Sequence, residues 1–162
     1  TTQLYLFFQY PTRIELAEGA RFIGWEISCF GRPAASLGFD TGRVRLRFEL
    51  WKGDEPLLIE RARVDGGSAF LREPWGFGGY PVVGSFVCVT EDPDALLLAR
   101  DALRQSLITR GFAAATHLRG IVVCRYLGDD AGVARKVFVR VWAALRPLIL
   151  GRVACSPRVW TT

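Results

Sequence analysis

Residues 44–50, with the sequence VRLRFEL, constrain the fold most strongly, because apolar and charged side chains alternate along them without a break. All the apolar side chains fall on one face of an extended segment, and all the charged ones fall on the other. A period of two predicts a β-strand that buries one face and turns the other toward solvent or a partner. Residues 23–29, IGWEISC, alternate in the same way. The chain is therefore expected to fold around β-sheets.

Other short apolar runs, and the turn residues between them, extend this prediction. Four more strands are expected, at residues 12–16, 57–64, 82–89 and 121–127. The turn-forming residues 52–56 would join the strands on either side of them into an antiparallel hairpin. Residues 65–67 would close that hairpin with a second turn. Most of the first two-thirds of the chain is thus predicted to be β-structure.

Two helices are expected in the second half of the chain. The first begins with Asp92 as N-cap and Pro93 as first helical residue, and it ends before Gly111. Its apolar stripe consists of Leu96, Ala99, Leu103 and Leu107. The second begins near residues 129–130, and Pro147 is expected to disturb it. Its apolar stripe consists of Ala134, Val137, Phe138, Val141 and Leu145. We interpret residues 1–162 as a single domain, mainly β with two α-helices.

The basic residues are spread along the chain and interleaved with acidic ones. Lys and Arg number 21 against 16 Asp and Glu, a formal net charge of +5. A nucleic-acid-binding protein would concentrate this charge in one stripe, so an acidic protein is the more plausible partner. The exposed face of the second predicted helix carries Arg135, Lys136 and Arg140. That face is either a solvated surface or a docking surface for such a partner.

The apolar runs and the cysteines indicate a cytoplasmic protein. No apolar run approaches the roughly 20 residues of a membrane span, and we find no secretory signal. The four cysteines, Cys29, Cys88, Cys124 and Cys155, include no C-x-x-C pair, and His117 is the one histidine. Zinc-site spacing is therefore lacking, and Cys88 and Cys124, which lie within apolar runs, are interpreted as small buried hydrophobes. An enzyme that pairs Cys29 or Cys124 with His117 stays open as an alternative, although His117 is predicted to lie in a loop.

Two carboxylates stand out because they lie within otherwise apolar strands. Glu26 interrupts residues 23–29, and Glu60 interrupts residues 57–64. A carboxylate in such a place either pairs with a neighbouring arginine or lines a polar cavity. In the second case it could pass a divalent cation, because carboxylate and water oxygens hold such ions loosely.

Residues 25–34, WEISCFGRPA, resemble the W-E-x-x-x-x-G-R-x-A signature of the urease accessory protein UreD, called UreH in some bacteria. Further stretches resemble that family in the same order along the chain. They are PLLIER at residues 56–61 followed by Asp65 and Gly66, RYLGD at 125–129, WAALRP at 142–147 and PRVWTT at 157–162. The similar region runs from about residue 12 to the C-terminus and corresponds to the C-terminal portion of the family.

The resemblance implies a fold, a function and a set of site residues. The implied fold is mainly β, with stacked, antiparallel-rich sheets and two helices. The implied function is that of a non-enzymatic chaperone that binds UreF, UreG and apo-urease and helps deliver nickel to the urease active site. No cofactor would be held tightly, and Ni²⁺ would bind transiently to Glu26, Glu60 and Asp65. Arg32 would hold a loop or a partner, alongside the basic helix face.

Members of this family are longer, and their N-terminal portion is not found in this sequence. Strands that lack a neighbour would leave open edges, through which the chain could self-associate or recruit another chain. Neither a nucleic acid nor a membrane is expected as a partner. The alternative function is a β-rich scaffold that binds an unrelated acidic protein and no metal.

Overall fold

The computed structural model describes residues 7–32 and 35–160. The strands in this part of the chain are β1 (Phe7–Leu16), β2 (Ile23–Cys29), β3 (Arg43–Lys52), β4 (Glu55–Asp65), β5 (Val82–Val89), β6 (Gly111–Leu118) and β7 (Ile121–Gly128). The helices are α1 (Ala69–Arg72), α2 (Asp94–Arg104) and α3 (Ala131–Leu150), and a short 3₁₀ helix spans Arg158–Trp160. The prediction of a mainly β fold is confirmed, and α1 is a single helical turn that was not predicted.

The strands form two sheets. The three-stranded sheet has the order β1-β3-β4, and the four-stranded sheet has the order β2-β5-β7-β6. The turn after Lys52 joins β3 and β4 into the predicted antiparallel hairpin, whereas β1 pairs with β3 in parallel. All pairs in the four-stranded sheet are antiparallel. The expected antiparallel-rich arrangement is thus confirmed, with one parallel pair added.

The four-stranded sheet is the middle of three layers. One of its faces packs on the three-stranded sheet through a small apolar core: Leu16, Phe48, Leu50, Leu58, Val87, Ile121 and Val123. Its other face packs on α2 and α3, in a larger core that includes Phe86, Cys124, Tyr126, Phe138 and Leu145. Both cores follow from the period of two, which divides each strand between two faces. The middle sheet is therefore apolar on both faces over much of its area.

Helix α3 begins and packs as predicted. The Asp130 carboxylate caps it, because Oδ1 accepts hydrogen bonds from the N–H groups of Gly132 (2.6 Å) and Val133 (3.0 Å). All five residues of the predicted stripe are buried. Pro147 does not end the helix, which continues for three residues to Leu150. Gly151 then ends it in the left-handed conformation, and its N–H donates to the Pro147 carbonyl.

Helix α2 ends earlier than predicted, at Arg104. The hydroxyl of Ser106 donates to the Ala102 carbonyl and competes with continuation of the helix. Leu107, predicted to be part of the apolar stripe, lies beyond the helix and is 83% exposed. Gly111 does not end the helix but begins β6. A Cβ atom at position 111 would lie only 2.2 Å from the Leu127 carbonyl oxygen, so a larger residue would clash there.

Strand β6 was not predicted, and its sequence explains why. Its centre is three alanines, which carry little of the β-branched or aromatic signal typical of strands. The prediction of a loop around His117 is therefore wrong. The His117 ring lies in β6, with Nε2 at 3.3 Å from the Thr90 carbonyl oxygen. In the part of the chain that the structure describes, we find no helix with the length and hydrophobicity of a membrane span.

Candidate functional site

A small cleft with both apolar and charged side chains in its lining lies between the two sheets, beside their shared apolar core. Its volume is about 130 Å³, room for a few water molecules. The four-stranded sheet contributes Glu26, Ser28, Val83, Ser85 and Arg125, and the three-stranded sheet contributes Leu46, Phe48, Glu60 and Ala62. Phe70 and Phe77, from the segment between β4 and β5, close part of the wall. The cleft is thus an opening in an apolar interface, with a few polar and charged side chains in a mostly apolar lining.

Strand register places the polar side chains of the middle sheet in one row. Glu26 on β2 is the partner of Ser85 on β5, and Ser85 is the partner of Arg125 on β7. Partners in adjacent strands project to the same face, so all three side chains point toward the three-stranded sheet. The neighbours Trp25 and Ile27 point the other way, into the helix-side core. Alternation within β2 therefore turns Glu26 into the cleft.

Glu60 reaches the cleft from the opposite sheet. It pairs with Phe48 across the β3–β4 hairpin and shares the inward face with it. Its carboxylate binds the Arg125 guanidinium in a two-pronged contact: Nη1 lies 2.7 Å from Oε2, and Nη2 contacts Oε1. Arg125 Nη1 also donates to the Ser85 hydroxyl. One guanidinium therefore joins the two sheets at this point.

Glu26 and Arg125 influence one another's charge in the cleft. Burial raises the pKa of Glu26, and the nearby positive charge of Arg125 opposes that shift. Burial likewise lowers the pKa of Arg125, and the negative charge of Glu26 opposes that shift. The described lining thus combines two carboxylates with a single guanidinium, so the cleft carries a net negative charge when both carboxylates are ionised. Such a lining attracts cations.

The third predicted metal contact, Asp65, lies elsewhere. Asp65 lies five positions after Glu60 in β4, an odd number of steps, so the two side chains project from opposite faces of the sheet. Asp65 points outward, where it pairs with the side chains of Arg43 and Arg63. These contacts lower the pKa of Asp65, with the hydrogen bond from Arg43 the largest cause. The structure therefore brings Glu26 and Glu60 together and leaves Asp65 outside the cleft.

The predicted partner-binding residues lie in two separate places. Arg32 is exposed, and its backbone N–H donates to the Leu37 carbonyl at 2.8 Å in the turn after β2. On α3, Arg135 is half-buried, whereas Lys136 and Arg140 are exposed. The Arg140 guanidinium also donates to the Gln105 carbonyl at the end of α2. Arg140 therefore links the two helices, and the partner-binding role of these four residues stays a prediction.

Cys29, Cys88 and Cys124 do not have the environment that a nucleophile needs. Cys88 and Cys124 are buried, which raises the pKa of each to about 12. Burial also raises the pKa of Cys29. Reactive cysteines show the opposite shift, because the thiolate is the reactive form. Across residues 7–32 and 35–160, no group of three or more His, Cys, Asp or Glu side chains is placed to hold a metal ion. A tight metal cage is thus absent from the described region.

Comparison with known proteins identifies the family. The model of the "UreD urease accessory protein" family matches residues 8–161. The chain belongs to the UreD family. The resemblance found in the sequence is thereby confirmed, and the match includes all the elements described above except the first residue of β1.

Curated relatives show how much of the family this chain represents. UreD from Nitrosococcus oceani is 41% identical over 151 residues, which are 93% of this chain and 50% of that protein. UreD from Acaryochloris marina is 39% identical over 155 residues, 94% of this chain and 54% of that protein. UreD 2 from Brucella anthropi is 34% identical over 152 residues, which are 93% of this chain and 55% of that protein. The chain therefore spans about half the length of the curated relatives it matches.

Sequence reasoning missed Arg125 and Ser85 as members of the site. Arg125 interrupts the apolar strand β7 just as Glu26 and Glu60 interrupt theirs. A basic residue in an apolar strand, matched by acidic residues in two others, is the signal that could have identified it. Ser85 carries no comparable signal, because a serine within a strand is common. Its role follows only from its register between Glu26 and Arg125.

Proposed function

We propose that this chain acts in urease maturation as a chaperone that binds UreF, UreG and apo-urease and helps deliver Ni²⁺ to the urease active site. Membership of the UreD family supports the role in maturation. The observation that supports Ni²⁺ handling is the position of Glu26 and Glu60. They come from different sheets and face the same cleft, which has room for a few water molecules. In this proposal the cleft is a transient contact for the cargo ion.

The chemistry of the cleft suits transfer better than storage. Carboxylate oxygens are weak ligands for Ni²⁺ compared with imidazole and thiolate, so an ion held by them is released readily. The cleft has room for water molecules that would complete the coordination of a bound ion. Asp65 stays a predicted contact, and an ion would have to compete there with two arginines.

Ni²⁺ titration of the purified chain tests the proposal. The wild type should bind Ni²⁺ weakly, and the Glu26→Gln/Glu60→Gln double variant should lose that binding. Glu18→Gln/Glu73→Gln is the matched control, because it removes two exposed carboxylates outside the cleft. Binding that is the same in all three proteins, or absent from the wild type, would contradict Ni²⁺ handling in the cleft.

Co-expression with a UreF protein tests the proposed partnership. Co-elution in size-exclusion chromatography would support it. Replacing Arg135, Lys136 and Arg140 with glutamine should reduce the co-eluting fraction if the α3 face contacts the partner. A folded chain that elutes alone at every ratio of the two proteins would contradict partner binding by this chain.

A metal-free scaffold remains the second candidate, and one feature of β6 favours it. Leu118 is the partner of Ile121, and Phe112 is the partner of Leu127, so both face the same way as the buried Ile121. Yet Phe112 is 59% exposed and Leu118 is 53% exposed. The three-stranded sheet therefore does not cover β6, and an exposed apolar strip of this kind is typical of interaction surfaces. Partner binding without any Ni²⁺ binding would favour the scaffold.

A further inference from the structure

Arg125 occupies the position in the cleft that a cation bound by Glu60 would take. Its two terminal nitrogens contact the two oxygens of Glu60, so neither oxygen is available to a metal ion without displacing the guanidinium. We propose that Arg125 is an internal counter-ion that competes with a divalent cation for Glu60 and thereby keeps the affinity of the cleft low. This inference rests on the proposed function of the cleft in Ni²⁺ transfer.

The charges in the cleft determine the direction of this effect. Glu26 and Glu60 together carry two negative charges, and Arg125 neutralises one of them. A divalent cation is therefore attracted by two carboxylates and repelled by the guanidinium, so its net attraction is that of a single negative charge. Without Arg125, both carboxylates would face the ion with no internal competitor, and binding would tighten. A tighter site would release its ion more slowly, which is a disadvantage in transfer.

Arg125 can leave Glu60 at low cost because it has other partners. Its Nη1 already donates to the Ser85 hydroxyl, and the charge of Glu26 also acts on it. The Arg125 side chain is 48% exposed, so N–H groups released from Glu60 can reach water. The Glu60 side chain is 23% exposed, so the pair is only partly buried, and partly exposed ion pairs contribute modest net stability. The Glu60–Arg125 pair is thus weak enough to exchange for a metal contact.

The exchange needs movement of side chains only. The backbone of β7 is paired on both sides, with β5 and with β6, which holds the Arg125 Cα in place. Partly exposed side chains change rotamer in picoseconds to nanoseconds. The guanidinium could therefore move toward Ser85 and Glu26 while an ion binds Glu60, and return when the ion leaves. Arg125 is thus a competitor of the ion for Glu60 and not one of its ligands.

Ni²⁺ affinities of Arg125 variants, measured by competition with a chromophoric chelator, test the inference. Arg125→Gln should bind Ni²⁺ at least about tenfold more tightly than the wild type, because the competing charge is gone. Arg125→Lys should tighten binding less, about two- to fivefold. Lysine keeps the positive charge but cannot bind both carboxylate oxygens of Glu60 at once. Arg104→Gln is the matched control, since Arg104 pairs with Asp101 on α2, outside the cleft. It should leave the affinity unchanged.

The outcomes separate this inference from the proposed function. Unchanged or weaker Ni²⁺ binding by folded Arg125→Gln, with measurable binding by the wild type, would overturn the counter-ion role alone. Absence of binding by all the proteins would overturn the Ni²⁺ function and the inference with it. If Arg125→Gln fails to fold, Arg125→Lys decides: tighter binding supports the inference and unchanged binding overturns it.

Discussion

Two clusters of carboxylates and arginines lie on opposite faces of the three-stranded sheet. They differ in how many positively charged or hydrogen-bonding groups contact the carboxylate. On the outer face, Glu49 is contacted by Arg13, Arg47 and Arg61, and Trp51 Nε1 donates to it at 3.2 Å. These side chains cover it so fully that only 1% of Glu49 is exposed. In the cleft, Glu60 has Arg125 as its ion-pair partner and Glu26 is only near that charge.

The contrast shows which carboxylate is suited to bind a cation. Glu49 is surrounded by three positive groups, so a metal ion would be repelled and every oxygen contact is already taken. The cleft has more negative than positive charge and space for water. A buried glutamate is therefore not by itself a sign of a metal contact. The ratio of carboxylates to arginines, and the space beside them, distinguishes a structural cluster from a site for a cation.

The largest effect on stability should come from the apolar layer between the two clusters. Leu50 is fully buried next to Glu49 in sequence, and it faces the inter-sheet core. Leu50→Ala should lower the free energy of unfolding by about 2–5 kcal/mol, through lost burial and a residual cavity. Urea denaturation would measure it. A loss below about 1 kcal/mol would mean that the sheets collapse onto the cavity or pack loosely.

Neutralising the glutamate of one cluster should have a different effect from neutralising the glutamate of the other. Glu49→Gln leaves three arginines facing one another without their shared partner, so the thermal midpoint should fall clearly while Ni²⁺ affinity stays unchanged. Glu60→Gln should reduce Ni²⁺ affinity and cost only about 0–1 kcal/mol of stability, since its partner Arg125 is partly exposed. Thermal melts and Ni²⁺ titrations of both variants would check this. Equal melting of the two variants would remove the proposed distinction.

Low pH should reduce the stability that the outer cluster contributes to the fold. Hydrogen bonding from Arg47, the largest cause, and then from Trp51 lowers the pKa of Glu49 below its ordinary 4.5. The folded state thus binds this proton less readily than the unfolded state. The stabilisation is complete above about pH 4.5 and is lost as the pH falls through the lower, folded value. Urea melts from neutral to acidic pH should therefore show a shallower acid loss in Glu49→Gln than in the wild type.

Asp65 provides an internal control for the acid experiment. Its pKa is also lowered, by Arg43 and Arg63, and it is present in both proteins. Its contribution therefore cancels when the two pH profiles are subtracted. Identical profiles would show that Glu49 makes no pH-dependent contribution.

The smallest effect should come from Ser85. Its hydroxyl accepts from Arg125 and provides the guanidinium with a partner other than Glu60. In Ser85→Ala, Arg125 should bind Glu60 more exclusively, and Ni²⁺ affinity should fall by about two- to threefold, the effect of losing one modest hydrogen bond. Ser28→Ala is the control, because Ser28 lines the same cleft two residues from Glu26. An equal fall in both variants would point to a general change in the cleft.

Much of the local structure could be predicted because it depends on neighbours in sequence. The alternation at residues 23–29 and 44–50 identified strands, and the spacing of Ala134, Val137 and Val141 identified the buried face of α3. Glu26 and Glu60 could also be selected, since each interrupts an apolar strand. Where the local signal was weak, as in the alanines of β6, prediction failed.

The sequence by itself determined the family, most strands, the N-cap and apolar stripe of α3, and the choice of Glu26 and Glu60 as candidate site residues. Only the tertiary structure decided that β1 pairs in parallel with β3, that Glu60 meets Arg125 from a strand 65 positions away, and that Asp65 faces outward. The physical reason is that side-chain periodicity is set within a strand, whereas its hydrogen-bond partner and register are set by strands distant in sequence. Which carboxylates share a cleft, and with how many arginines, is therefore a property of the packed sheets.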